Sequence, residues 1–165
     1  MSTIQRIGIV SDTHVPSRAS RVPDAALRHF EQVELILHAG DLSTLAVLDQ
    51  LAAYAPVEAV RGNVEWAEVV QALPIKREIV VGGCTIGIVH ILGERASYAR
   101  NARRDFPSAR VVVFGHSHIP YLEDRGGLLL LNPGSATDRR TRPSCTLALL
   151  TIEDGRPRAK IVPLP

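Results

Sequence analysis

Cysteine and aromatic residues are both scarce in this chain. The two cysteines, Cys84 and Cys145, lie far apart with no CxxC partner, which argues against a disulfide framework and fits a reducing, cytoplasmic setting. Aromatic residues make up 4% of the chain. A nucleic-acid binder usually clusters its basic residues and adds aromatics for stacking, so nucleic acid is not the expected partner. Long apolar runs are absent too. The stretch "MSTIQRIGIVSDTH" turns polar after a short apolar run and offers neither a signal-peptide core nor a membrane span. Charge of one sign is also lacking: 19 basic against 17 acidic residues leave a formal +2, which decides little.

What remains is an ordinary globular composition of 165 residues, 45% hydrophobic and 22% charged, and one domain over 1–165 is expected. "TIQRIGIV" and "VELILHAG" read as strands, the second a nearly continuous apolar run suited to a strand covered on both faces. "VPDAALRHFEQ" reads as a helix opening at Pro23. "LSTLAVLDQLAAYA" reads as another, with Ser43 as N-cap and Leu45, Leu48, Leu51 and Ala52 as its apolar stripe. Pro56 ends it, and "VEAV" is a third strand. Such alternation predicts βαβ units and a parallel sheet. Later, "IKREIVVGGCTIGIVH" predicts a hairpin turning at Gly82-Gly83, and "GERASYARNARRDF" a helix ending before Pro107. Further strands are joined by the turns "DRGG" and "EDGRPR". The whole reads as mixed α/β, parallel early and antiparallel late.

Five strand-like runs end on polar residues able to bind metal. "IVSDTH" ends with Asp12 and His14, "LHAGD" with Asp41, "VRGN" with Asn63, "GIVH" with His90, and "VVVFGHSH" with His116 and His118. The carboxyl ends of parallel strands share an edge where ligand sites form. Residues two apart in extended backbone face the same side, which would make Asp12/His14 and His116/His118 two-pronged. Gly40, Gly62 and Gly115 precede three of these candidates and permit close approach. Taken singly, each piece has a plainer reading as a turn former, helix cap or buried histidine. Together they point to metal. Oxygen and imidazole donors suit Mn, Fe, Zn, Ni or Co, and seven side chains exceed what one catalytic zinc uses. Two adjacent ions sharing a carboxylate fit the count. His29 is expected at the surface or boundary of a helix, and His38, inside a strand, in a structural role.

The ordered set D-x-H, G-D, G-N, H and G-H-x-H resembles the calcineurin-like metallophosphoesterase superfamily. It looks closest to the small, cap-free bacterial and archaeal phosphodiesterases, the group that includes the small retromer subunit. The likeness runs from "GIVSDTH" to "LNPGSATDRR". It implies a four-layer α-β-β-α sandwich with two packed sheets. It also implies one ion on Asp12, His14, Asp41 and His118, and a second on Asp41, Asn63, His90 and His116, with Asp41 bridging. Asn132 to Ser135, "NPGS", would be structural support.

Two departures stand out. Larger relatives carry a histidine after Gly-Asn as proton donor, where this chain has Val64 followed by Glu65. They also often follow the ligand histidine with Gly and His, where this chain has Ile91 and Leu92. Losing a general acid costs about 10²–10⁴ in rate, most for poor leaving groups.

The expectation is a phosphodiesterase acting on a small diester through water activated by two divalent ions, manganese favoured. Asp41, Asn63 and His90 would carry the reaction through that water, with no general acid identified. A phosphomonoesterase or nucleotide phosphatase, and a non-catalytic interaction scaffold, are the competing readings; a homo-oligomer is allowed. The basic residues Arg95, Arg100, Arg103 and Arg104, and Arg139, Arg140 and Arg142, read as solvated faces or as guidance for an anionic substrate.

Overall fold

The structure is a computed structural model that describes residues 4–165. Thr3, included in the first predicted strand, lies outside the described residues. That strand, β1 (Ile4–Val10), is covered on both faces: Ile7 and Ile9 enter one core and Val10 another. Gly8 lies against the Phe30 ring, where a side chain would collide. After β1 come α1 (Asp24–Leu27), β2 (Leu35–His38), α2 (Ala46–Ala52), β3 (Val57–Ala59), α3 (Ala67–Ala72), β4 (Lys76–Val81), β5 (Cys84–Val89) and α4 (Tyr98–Asp105). The chain closes with β6 (Val111–Val113), β7 (Tyr121–Asp124), β8 (Leu129–Asn132), β9 (Thr146–Glu153) and β10 (Arg156–Pro163).

Two five-stranded sheets form, in the orders β10-β9-β1-β2-β3 and β4-β5-β6-β8-β7. Their facing sides share a core of Ile7, Ile9, Leu37, Ile86, Ile88 and Leu150, among others. A second core, with Phe30, Val47, Leu51 and Val69, joins α1–α3 to the outer face of the first sheet. A third, with Phe106, Phe114 and Leu130, joins α4 to the second sheet. The result is the expected α-β-β-α layering. Cys84 and Cys145 are free thiols. No helix among the described residues is long and apolar enough to cross a membrane.

The sequence reading needs correction in four places. The order "parallel early, antiparallel late" fails, because β5, β6 and β8 pair in parallel while β9 and β10 add antiparallel to β1. The helix expected at 22–32 keeps only α1 and a 3-10 turn, Arg28–Phe30, whose Phe30 covers Gly8. The helix expected from Ser43 starts at Ala46, and Ser43 does not cap it. Its amide and that of Leu42 are held by Glu65, and that of Leu45 by Glu68, so residues 42–45 form a loop pinned by carboxylates around α3. In that helix Val47 and Leu51 are the buried residues, whereas Ala52 of the expected stripe is exposed. Finally, α3 itself was not anticipated.

Candidate metal centre

All seven candidates come together where the two sheets meet. Asp12 and His14 follow β1, Asp41 follows β2, and Asn63 follows β3, all in the first sheet. His90 follows β5, and His116 and His118 follow β6, in the second. The loops are stitched edge to edge. The Asp12 amide donates to Gly40 O (2.9 Å), His14 N to Asp41 O (3.0 Å) and Gly115 N to His90 O (3.0 Å).

The two-pronged pairs are not held by extended backbone as expected. Asp12, His14, Asp41, His116 and His118 all have positive φ, between 44° and 75°. Non-glycine residues avoid that region, Asp and His less than most, at a cost of order 1–3 kcal/mol each. Five such residues in one place mark backbone shaped for the site rather than for stability. Close packing requires glycine at two neighbours: a Cβ on Gly62 would collide with the Asp41 carboxylate, and one on Gly115 with Ser11 and Asp12.

The donor atoms fall into two groups, Asp12/His14/His118 and Asp41/His90/His116, each with its ligand atoms within 4.8 Å of one another. Asp41 faces both. Its Oδ2 is 3.1 Å from His90 Nε2 and 3.7 Å from His14 Nε2, while Oδ1 accepts the Val64 amide at 2.8 Å. Asn63 Oδ1 lies 3.0 Å from His90 Nε2 and 3.1 Å from His116 Nδ1.

The imidazoles are oriented from behind. His90 Nδ1 donates to Ala39 O (2.7 Å) and His118 Nδ1 to Asp138 O (2.9 Å), so each turns an Nε2 lone pair inward. His118 Nε2 meets His14 Nε2 at 3.2 Å. Asp12 Oδ2 accepts Ser11 Oγ (2.8 Å) and the His116 amide (3.0 Å). Its Oδ1 is buried with no hydrogen-bond partner, 3.4 Å from His118 Nε2 and 3.8 Å from both His14 Nε2 and His90 Nε2. An orphaned buried carboxylate oxygen facing inward-turned imidazole nitrogens fits a divalent cation.

Burial also sets the titration. It pushes Asp12 up to about 7, against the opposing pull of His90. Burial lowers His14, His116 and His118. Burial would raise Asp41, but the His90 hydrogen bond and charge outweigh it and hold the carboxyl low. Burial would lower His90, but the Asp41 hydrogen bond and the two carboxylates raise it.

Among the supporting residues Glu65 and Thr137 carried no readable signal as supports, whereas Asn132, Ser135 and His38 take the structural places expected of them. Glu65 gathers the amides of Gly62, Leu42 and Ser43, tying the β2 and β3 loops together. Ser135 and Thr137 donate to the Asp12 carbonyl, and Asn132 holds the Gly115 carbonyl. His38 is fully buried, accepts the Gly40 amide and donates to Thr13 Oγ1 at 3.0 Å. Burial lowers it to about 3. His29, in the turn after α1, is half-buried and takes no part in the site. A cavity of about 570 Å³, lined by Arg6, Arg28, Arg158 and Lys160 among others, includes none of the seven residues.

Two stacked mixed sheets, with oxygen and imidazole donors gathered at their strand ends, define a class of α/β protein built to hold metal between its sheets. Residues 6–155 match the calcineurin-like phosphoesterase superfamily domain, and the chain belongs to that family. A probable metallophosphoesterase of Methanothermobacter thermautotrophicus is 37% identical over 163 residues, covering 94% of this chain and 91% of that protein. Among solved structures, wild-type Vps29 of Entamoeba histolytica complexed with zinc superposes with a TM-score of 0.75 at 25% identity, covering 96% of this chain and 99% of that one. An archaeal phosphodiesterase superposes with a TM-score of 0.73, also at 25% identity, covering 96% of this chain and 100% of that one. Membership implies divalent metal ions and phosphoester hydrolysis.

Proposed function

We propose that the protein is a phosphodiesterase working with two divalent ions, manganese favoured among the metals that its mixed oxygen and imidazole donors suit. One ion is assigned to Asp12, His14, Asp41 and His118, and the other to Asp41, Asn63, His90 and His116. The observation that carries this reading is Asp41 Oδ2, set between His14 of one donor group and His90 of the other. The zinc complex of the Vps29 neighbour and the diesterase activity named for the archaeal one point the same way. Bound ions supply Lewis acidity, neutralising phosphate charge and lowering the pKa of water.

The chain's own residues then hold and orient. Asn63 is neutral, so the donor set leaves more positive charge for an anionic ester than a third carboxylate would. Arg140 donates to Ser117 O (3.4 Å) and lies near enough for its charge to lower His116 and His118, which suits it to a phosphate oxygen. Val64 is exposed and brings no proton; its amide serves Asp41. Without a proton donor at that position, diesters with acidic leaving groups are the favoured substrates.

Hydrolysis of bis(p-nitrophenyl) phosphate and p-nitrophenyl phosphate with Mn²⁺ tests the proposal. The diester should turn over faster, and Asp41→Ala and His118→Ala should each lose at least about 100-fold. Faster monoester turnover would indicate a phosphomonoesterase. Undiminished rates in both variants would remove the site, and absence of turnover with any divalent ion would leave a scaffold.

A further inference from the structure

A second cavity, about 300 Å³, opens beside the candidate centre and is lined by Arg61, Gly62, Asn63, Ile75, Val89, His90 and Ile91. Asn63 and His90 form one wall, so anything held there touches the donor set. Topology builds the rest. In the β4–β5 hairpin Lys76 pairs with Val89, which brings Ile75, just before β4, level with His90, just after β5. The Arg61 amide donates to Pro74 O (2.9 Å), drawing Ile75 against the β3 loop. Ile75 and Ile91 remain 60% and 48% exposed, a large apolar area to leave in water beside a charged centre.

Arg61 is the one arginine lining this cavity, beside the titratable His90, and its guanidinium forms no hydrogen bond or ion pair among the described residues. Its Nε is shielded from water with no acceptor. The terminal guanidinium nitrogens are not shielded in this way and are free to donate to an incoming acceptor. Isoleucine walls with one donor at the edge match a flat heteroaromatic ring bearing an acceptor, and the volume suits a small-ligand pocket.

Building on the proposed diester hydrolysis, we infer that this cavity is a substrate subsite for the ester group that stays on phosphorus, and that it takes a nucleobase-like ring between Ile75 and Ile91 with Arg61 donating to its edge. The structure thereby selects a nucleoside-bearing diester over a small alkyl one.

The test compares thymidine 5′-(p-nitrophenyl phosphate) with ethyl p-nitrophenyl phosphate. Both release the same phenolate, so they differ only in the retained group. The ratio of their kcat/KM values should favour the nucleoside ester and fall about tenfold in Ile75→Ser and several-fold in Arg61→Gln. In parallel, thymidine 5′-phosphate should shift the methyl NMR signals of Ile75 and Ile91 in the metal-loaded protein. Hydrolysis of both esters with a ratio unmoved by either variant would overturn the subsite and leave diester hydrolysis standing. Methyl shifts that need Arg61, with neither ester hydrolysed, would keep the subsite and remove hydrolysis. Neither hydrolysis nor shifts would end both.

Discussion

Asp41 divides its two oxygens between backbone and site, and that division depends on neighbours. Oδ1 holds the Val64 amide, while Glu65 fixes the surrounding loops through three amides. Replacing Asp41 by Asn keeps a residue that tolerates the left-handed backbone but removes the charge. Asp41→Asn should therefore fold with a melting temperature near wild type and lose at least about 100-fold in diester turnover, read by thermal melting beside the rate assay. Glu65→Ala strands three donors and should cost about 1–3 kcal/mol, measured by denaturant unfolding, with weaker metal binding in a titration. His38 supplies a pH test. Its native pKa, near 3, lies below the unfolded value near 6.5, so its contribution to stability is present above pH 6.5 and lost as pH falls toward 3. Wild type should lose stability between pH 6.5 and 5 more steeply than His38→Gln does.

At the scale of elements, what the sequence revealed depended on how much of each segment is buried. β1, β2 and the β4–β5 hairpin were readable because apolar runs and a Gly-Gly turn leave few alternatives. The seven candidate ligands were readable because each follows such a strand. α3 was not, since its six residues bury only Val69 and show no stripe. The start of α2 was misread because Glu68, some twenty residues later, satisfies the Leu45 amide that Ser43 looked placed to cap, while Glu65 holds the amide of Ser43 itself. The left-handed backbone at five candidates is likewise a tertiary outcome, imposed by loops that bond one another rather than by local propensity. Gly115 tests the loop geometry. Gly115→Ala would press on Ser11 and Asp12, and activity should drop at least about tenfold while far-ultraviolet circular dichroism stays native.

Across the whole molecule the candidate centre joins two sheets. Asp12, His14, Asp41 and Asn63 come from one, and His90, His116 and His118 from the other, so bound ions would cross-link the layers. At a hundred times the dissociation constant a single such ligand stabilises by about 2.7 kcal/mol, a shift of several degrees in melting temperature. The shift should grow with pH. Burial raises Asp12 to about 7, so the stability it contributes to metal-free protein is present below pH 3.8 and lost as pH rises through 7. A cation offsets that loss. Melting with and without Mn²⁺ at pH 5 and pH 8 should show the larger difference at pH 8.

The most direct measurement is the anomalous scattering of a crystal grown with Mn²⁺. The account predicts two peaks about 3.5–4 Å apart, one beside Asp12, His14 and His118, the other beside Asn63, His90 and His116, with the Asp41 carboxylate between them. A single peak, or manganese bound elsewhere with these seven side chains unliganded, would contradict it.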